Sequence, residues 1–98
     1  IPLLLGASEL AMAGHVTGAS NRNWAGYGHE VRLPEGFATE RRALLTDPQT
    51  SGGLLVSCEA GSVAAVLEIF RQQGFEAAAE VGEVTPFDAD TGPRLVVA

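Results

Sequence analysis

The sequence predicts an α/β (α+β) fold, with a β-α-β-β layer and helices packed on one sheet. Three observations carry this. Val63, Val66, Leu67 and Phe70 recur at i, i+3, i+4 and i+7, the apolar stripe of a helix that lies on a sheet. Ahead of it runs Leu54-Leu55-Val56-Ser57-Cys58, a continuous apolar stretch that suits a buried strand. After it come two shorter stretches with strand character. Residues 80–84, broken by Gly82, suit a bulged strand, and residues 94–97 suit a closing one.

The remaining elements follow in chain order. Residues 6–13 read as a short helix in which Ala7, Leu10 and Ala11 share a face, with Ser8 as cap and Gly14 as stop. From His15 to Leu33 apolar periodicity fails. The stretch holds three glycines, Trp24, Tyr27 and two histidines, and is expected to be a long ordered loop with one short strand at residues 30–33. Pro34-Glu35-Gly36 is a turn. Thr39 to Leu45 is a helix with Thr39 as cap, ended by Asp47-Pro48 because a residue before proline is pushed out of the helical region. Gly61 or Ser62 starts the striped helix and Gly74 ends it, while residues 88–93 form a turn by composition. The expected organisation is one domain over residues 1–98, made of a helix and long loop (1–37) and then a helix and the β-α-β-β layer (38–98). An opening on Ile1-Pro2-Leu3-Leu4-Leu5, with no initiator methionine, is expected of a piece cut from something longer.

Composition narrows the function. The 98 residues include 46% apolar ones, enough for one small core. Net charge is −6, and the second half carries most of it, so a nucleic-acid partner is not expected. All six basic residues are arginine, which removes any phosphate-binding or Schiff-base lysine but leaves bidentate phosphate contacts available. The single cysteine, Cys58, cannot form an internal disulfide, and a reducing cytoplasm is the default. As part of a strand it is expected to be a buried small hydrophobe. The opening apolar run is too short to span a membrane. His15 and His29 lack partners for a zinc site, and Asp88 and Asp90 lack the rest of a calcium loop, so no metal ligand is assigned. Trp24 and Tyr27 are expected to anchor a core or interface rather than to stack on a base.

The most distinctive segment is Asp47-Pro48-Gln49-Thr50-Ser51-Gly52-Gly53-Leu54-Leu55. It places two small hydroxyls and two glycines between a helix end and a strand. Glycines permit positive φ and close approach of another backbone, and successive exposed N–H groups form an anion-binding nest. On residue chemistry alone a plain tight connection is favoured over a site, because glycine-rich turns are common.

This nonapeptide resembles a motif of the selenophosphate synthetases. Upstream, Gly18-Ala19-Ser20-Asn21-Arg22-Asn23 resembles that family's glycine-glycine-threonine-x-arginine-asparagine segment: Gly18, Arg22 and Asn23 match, whereas Ala19 and Ser20 depart. Tyr27-Gly28 and Gly82-Glu83 are also similar. The resemblance implies the carboxy-terminal domain of an aminoimidazole-ribonucleotide-synthetase-like fold. It further implies a parent enzyme, a homodimer, that uses ATP, magnesium, selenide and water to give selenophosphate, AMP and phosphate. The catalytic groups and metal aspartates would precede Ile1, in an amino-terminal ATP-binding domain that is this chain's expected partner. Within the chain, Arg22, Asn23, Thr50, Ser51, Gly52 and Gly53 are the expected substrate-binding residues, Asp47 and Pro48 shape the turn, and no residue is assigned a catalytic or cofactor role. Two other readings stay open: another ATP-dependent enzyme of the same superfamily, and a stand-alone small-molecule-binding module.

Overall fold

A computed structural model describes residues 1–88, 90 and 92–98. The helices are α1 (Ala7–Met12), α2 (Gly18–Tyr27), α3 (Thr39–Leu45) and α4 (Val63–Gln72). Two short strands, β1 (Val31–Arg32) and β2 (Leu95–Val96), pair in parallel with Val31 opposite Leu95. The chain divides into two compact units, Leu4–Ser51 with Pro86–Ala98, and Ile1–Leu3 with Gly52–Thr85.

The larger unit holds α1, α2, α3 and the strand pair. Here α1 packs on α3, and α2 also meets α3. Both glycine stops hold in detail. Gly14 takes φ 89°, with its N–H donating to the Ala11 carbonyl and the His15 N–H to that of Leu10, the double bond of a Schellman ending. The expected caps do not hold. Gly6, in a left-handed conformation at φ 83°, stands at the start of α1, so Ser8 already lies in the first turn. Extended Ala38 precedes α3, which makes Thr39 its first helical residue rather than its cap.

The principal correction concerns the expected loop at 15–33. Most of it is α2, followed by a 3-10 turn at Gly28–Glu30. The helix was hidden because its inward face is polar. Thr17, Ser20 and Asn23 are spaced by three, and each hydrogen-bonds within the cluster at the end of α3. A search for apolar periodicity cannot register such a face. The turn at 34–36 does form: the Phe37 N–H donates to the Pro34 carbonyl at 3.2 Å, and Gly36 takes φ 71°. The strand at 30–33 shortens to β1. It pairs with β2, where the Val97 N–H reaches the Arg32 carbonyl at 2.9 Å. Arg94 closes this end, 3.3 Å from Glu30 and stacked over Phe87. In the expected 88–93 turn, Asp88 accepts from the Asp90 N–H at 2.9 Å; Ala89 and Thr91 lie outside the described residues.

The smaller unit is built on α4, and its stripe is as expected. Val63, Val66, Leu67 and Phe70 are the half-buried positions of the helix, and its other residues are exposed. A second Schellman ending follows. Gly74 takes φ 87°, its N–H donating to Arg71 and the Phe75 N–H to Phe70, while the Phe70 and Phe75 rings meet edge-on at 6.2 Å. Open space surrounds a Cβ at Gly74, so the cost of Gly74→Ala is conformational alone. Thermal unfolding should report a loss of about 1–2 kcal/mol.

The β-α-β-β layer is not formed among the described residues. Neither 54–58 nor 80–84 is a strand, and Leu54, Leu55, Val56, Cys58, Val81 and Val84 are all exposed. A continuous apolar run needs a ladder partner and cover on both faces, and one ten-residue helix supplies neither in this unit. For the same reason Cys58 is exposed rather than buried.

Candidate functional site

The first motif segment and the start of the second, as far as Ser51, lie in the larger unit. The sequence predicts each separately, and the structure joins them through hydrogen bonds between one face of α2 and the end of α3. Thr17 caps α2, its Oγ1 accepting from the Ser20 N–H at 3.3 Å. The same Thr17 hydroxyl donates to Asp47 Oδ1 at 3.2 Å. Ser20 Oγ donates to the Ala43 carbonyl at 3.1 Å, and Asn23 Nδ2 to the Thr46 carbonyl at 2.9 Å. Thr46 in turn donates its hydroxyl to the Arg42 carbonyl at 3.0 Å. These bonds fall on carbonyls of the last turn of α3 and its cap, and the Ala43 carbonyl also accepts the Thr46 N–H at 3.3 Å.

Burial shows why this matters. Among the described residues the buried ones are Ala11, Ser20 and Thr46, so two of the three are polar and belong to this junction. The unit is therefore joined by satisfied hydrogen bonds where a large apolar core is lacking. A bond left half-made in such a place costs more than a made bond contributes. Aromatic contacts add to it: the Arg42 guanidinium stacks 5.1 Å from the Trp24 ring centroid. Trp24 is half-buried, while Tyr27 is exposed. Beside the junction, an open groove of about 250 Å³ is lined by apolar Ala7, Leu10, Val16, Ala43 and Leu44, with His15, Thr17 and Asp47 as its polar members.

The expected site residues fall into two groups. Asn23 faces the α3 terminus and holds a backbone carbonyl. Asp47 accepts from two side chains, the Thr17 hydroxyl at 3.2 Å and Gln49 Nε2 at 2.8 Å. Arg22, Thr50, Ser51, Gly52 and Gly53 are exposed. Arg22 forms no ion pair among the described residues, in contrast to Arg71 and Arg94. Its guanidinium lies over Gly18, where a Cβ would come to 3.8 Å from Nη1. Positive φ, expected as a reason for the glycine pair, is taken by Gly6, Gly14, Gly36 and Gly74 and by neither Gly52 nor Gly53. No group of three or more His, Cys, Asp or Glu side chains among the described residues is placed to hold a metal. No described helix is long and apolar enough to cross a membrane.

Sequence reasoning missed Thr17, Ser20 and Thr46. Ser20 and Thr46 have a detectable signal, small hydroxyls one residue beyond a motif or within it. Thr17 has the N-cap signature of a hydroxyl ahead of a helix, visible only once α2 is accepted as a helix.

Comparison with known proteins agrees with the resemblance. The family described as AIR synthase related protein, C-terminal domain, matches residues 3–92. A selenide, water dikinase of Burkholderia pseudomallei is 56% identical over 84 residues, 86% of this chain and 24% of that protein. One from Burkholderia cenocepacia is 49% identical over all 98 residues, 27% of its length. Another, from Rhizobium meliloti, is 50% identical over 82 residues, covering 84% of this chain and 24% of the relative. The chain thus spans about a quarter of the length of these curated relatives. No solved structure gives a significant match. The chain therefore belongs to the family of AIR synthase related carboxy-terminal domains, and its resemblance to the selenide, water dikinases is borne out.

Proposed function

We propose that this chain is the carboxy-terminal domain of a selenophosphate synthetase and that its two units work as parts of that one domain. The parent would convert selenide, ATP and water to selenophosphate, AMP and phosphate. Chemistry, ATP and magnesium would be handled by an amino-terminal domain, since this chain has no lysine and its described residues do not fit a metal centre. The exposed apolar side chains, among them Leu4, Leu5, Leu54 and Leu55, suit cover by that domain or by the second copy in a homodimer, in a cytoplasmic protein.

The observation that carries the reading is the junction itself. It ties the first motif segment to the chain just ahead of the second by Asn23, and Thr17 beside the first to Asp47, yet leaves Arg22, Thr50 and Ser51 exposed and Arg22 without an ion pair among the described residues. Those groups have donors to offer a phosphate-bearing ligand, and phosphoryl transfer depends mostly on positioning and charge stabilisation. Gly52 and Gly53 extend the segment, and nothing lies within 4 Å of a Cβ built at Gly53.

The test is turnover of the full-length enzyme. Arg22→Ala, Thr50→Ala and Ser51→Ala should each lower selenide-dependent AMP release by about tenfold, the worth of one lost hydrogen bond to a charged group. Gly53→Ala is the informative companion. It meets nothing within 4 Å and its φ is not positive, so stability should stay unchanged and any loss of turnover reports a ligand or partner contact. If all four variants turn over at the parent rate per folded molecule, the segment is a connection and not a site.

A further inference from the structure

We infer that Thr17, which lies outside both motif segments, is a positioning residue for the 47–53 turn, and that Asn23 shares this role. The inference rests on the reading of that turn as a site. Beyond Pro48, which fixes its own φ and restricts Asp47, a segment ending in two glycines has few constraints of its own. Its direction must be set where it leaves α3. Three side chains on one face of α2 act there: Ser20 and Asn23 hold the Ala43 and Thr46 carbonyls, and Thr17 holds the Asp47 carboxylate.

Thr17 differs from the other two in what it joins. Its oxygen accepts the Ser20 N–H at the start of α2 while its proton goes to Asp47 Oδ1, so one hydroxyl fixes both the helix start and the turn. Asp47 has a second acceptor oxygen, which takes Gln49 Nε2 at 2.8 Å inside the turn. The chain of contacts thus runs from the helix that bears Arg22, through Thr17 and Asp47, into the turn that bears Thr50 and Ser51. Asn23 adds a parallel link one residue earlier, at Thr46. Arg22, next to Asn23 in sequence, is placed on the helix that these links hold. One of the two Asn23 amide N–H donors is committed to the Thr46 carbonyl.

The experiment uses the full-length enzyme with Thr17→Val, Thr17→Ser, Thr17→Ala, Asp47→Ala and the Thr17→Val/Asp47→Ala double variant. Three quantities are measured: thermal stability, amide hydrogen exchange over residues 47–53, and kcat and KM with ATP and selenide. Thr17→Val should speed exchange in the turn and lower kcat/KM by about tenfold, because small displacements of positioning groups carry rate penalties of that order or more. Thr17→Ser keeps the hydroxyl and should restore both. In the Asp47→Ala background Thr17→Val should lose less turnover than it does alone, since the two share one bond and only the helix cap to Ser20 remains to be lost. Thr17→Ala serves the same comparisons if the valine variant does not fold.

Unchanged exchange over 47–53 in the Thr17 variants would overturn the inference. So would faster exchange with normal turnover while Thr50→Ala remains impaired, or additive losses in the double variant. If neither Thr17→Val nor Thr50→Ala alters turnover, the site reading itself fails and the inference falls with it. The Thr50 variant separates that result from a failure of positioning alone.

Discussion

Gly28→Ala is expected to destabilise the full-length protein by about 2–3 kcal/mol, the range for forcing extra volume against a fixed group. A Cβ at this position would lie 2.7 Å from Trp24 Cε2 and 2.8 Å from Cδ2. One of the two must move. Gly28 is held in place because its N–H donates to the Trp24 carbonyl at the end of α2. Trp24 is held by the Arg42 guanidinium stacked 5.1 Å from its ring centroid. Moving the indole therefore disturbs the α2–α3 contact as well as the helix end. Gly26→Ala is the control: nothing lies within 4 Å of its Cβ, and alanine in a helix interior should add up to about 1 kcal/mol. Opposite signs at two glycines two residues apart would identify the ring contact as the cause. Equal melting temperatures for Gly28→Ala and the parent would mean that the ring does not cover Gly28. Relief of the loss by Trp24→Leu in the same protein would locate the strain on that pair.

Phe70→Ala is expected to cost about 2 kcal/mol, below the 3–5 kcal/mol typical of a fully buried ring, because Phe70 is half-buried. Part of the loss comes from the edge-on pair with Phe75 at 6.2 Å, which also ties the Schellman ending to the helix. Ile69→Ala, one position away on the exposed side at 61% exposure, should change stability by no more than about 0.5 kcal/mol. Thermal or urea unfolding of the two variants checks the contrast. Similar losses at both positions would show that α4 is covered on a second face, and loss at neither would show that the stripe makes no contact of consequence.

Helices with an apolar face were legible in the sequence, as were glycine stops. The stripe of α4 was read with its correct members, and Gly14, Gly36 and Gly74 were read as ends or turns, where each takes positive φ. Both features are local: a period of side chains and a residue without Cβ can be recognised without knowing what they meet. The strands at 30–33 and 94–97 were placed, though not their pairing, because nothing local reveals that a segment near residue 31 lies beside one near residue 95. The runs at 54–58 and 80–84 were read as strands from apolarity alone. Apolarity reports a need for cover, and the ladder that makes a strand is a property of two segments.

The sequence by itself determined the family resemblance, the uneven acidic charge, the absence of lysine, and the glycine stops of α1 and α4. It also marked both motif segments as worth weighing. Tertiary structure alone decided that α2 is a helix, because its packing face is a row of hydrogen-bonding side chains whose partners lie more than twenty residues away. It likewise decided that Asn23 holds backbone and that Arg22 remains exposed, although the two are neighbours with similar standing as motif residues. Adjacent helical residues point about 100° apart, so only the position of α3 determines which is committed inward and which stays exposed to solvent.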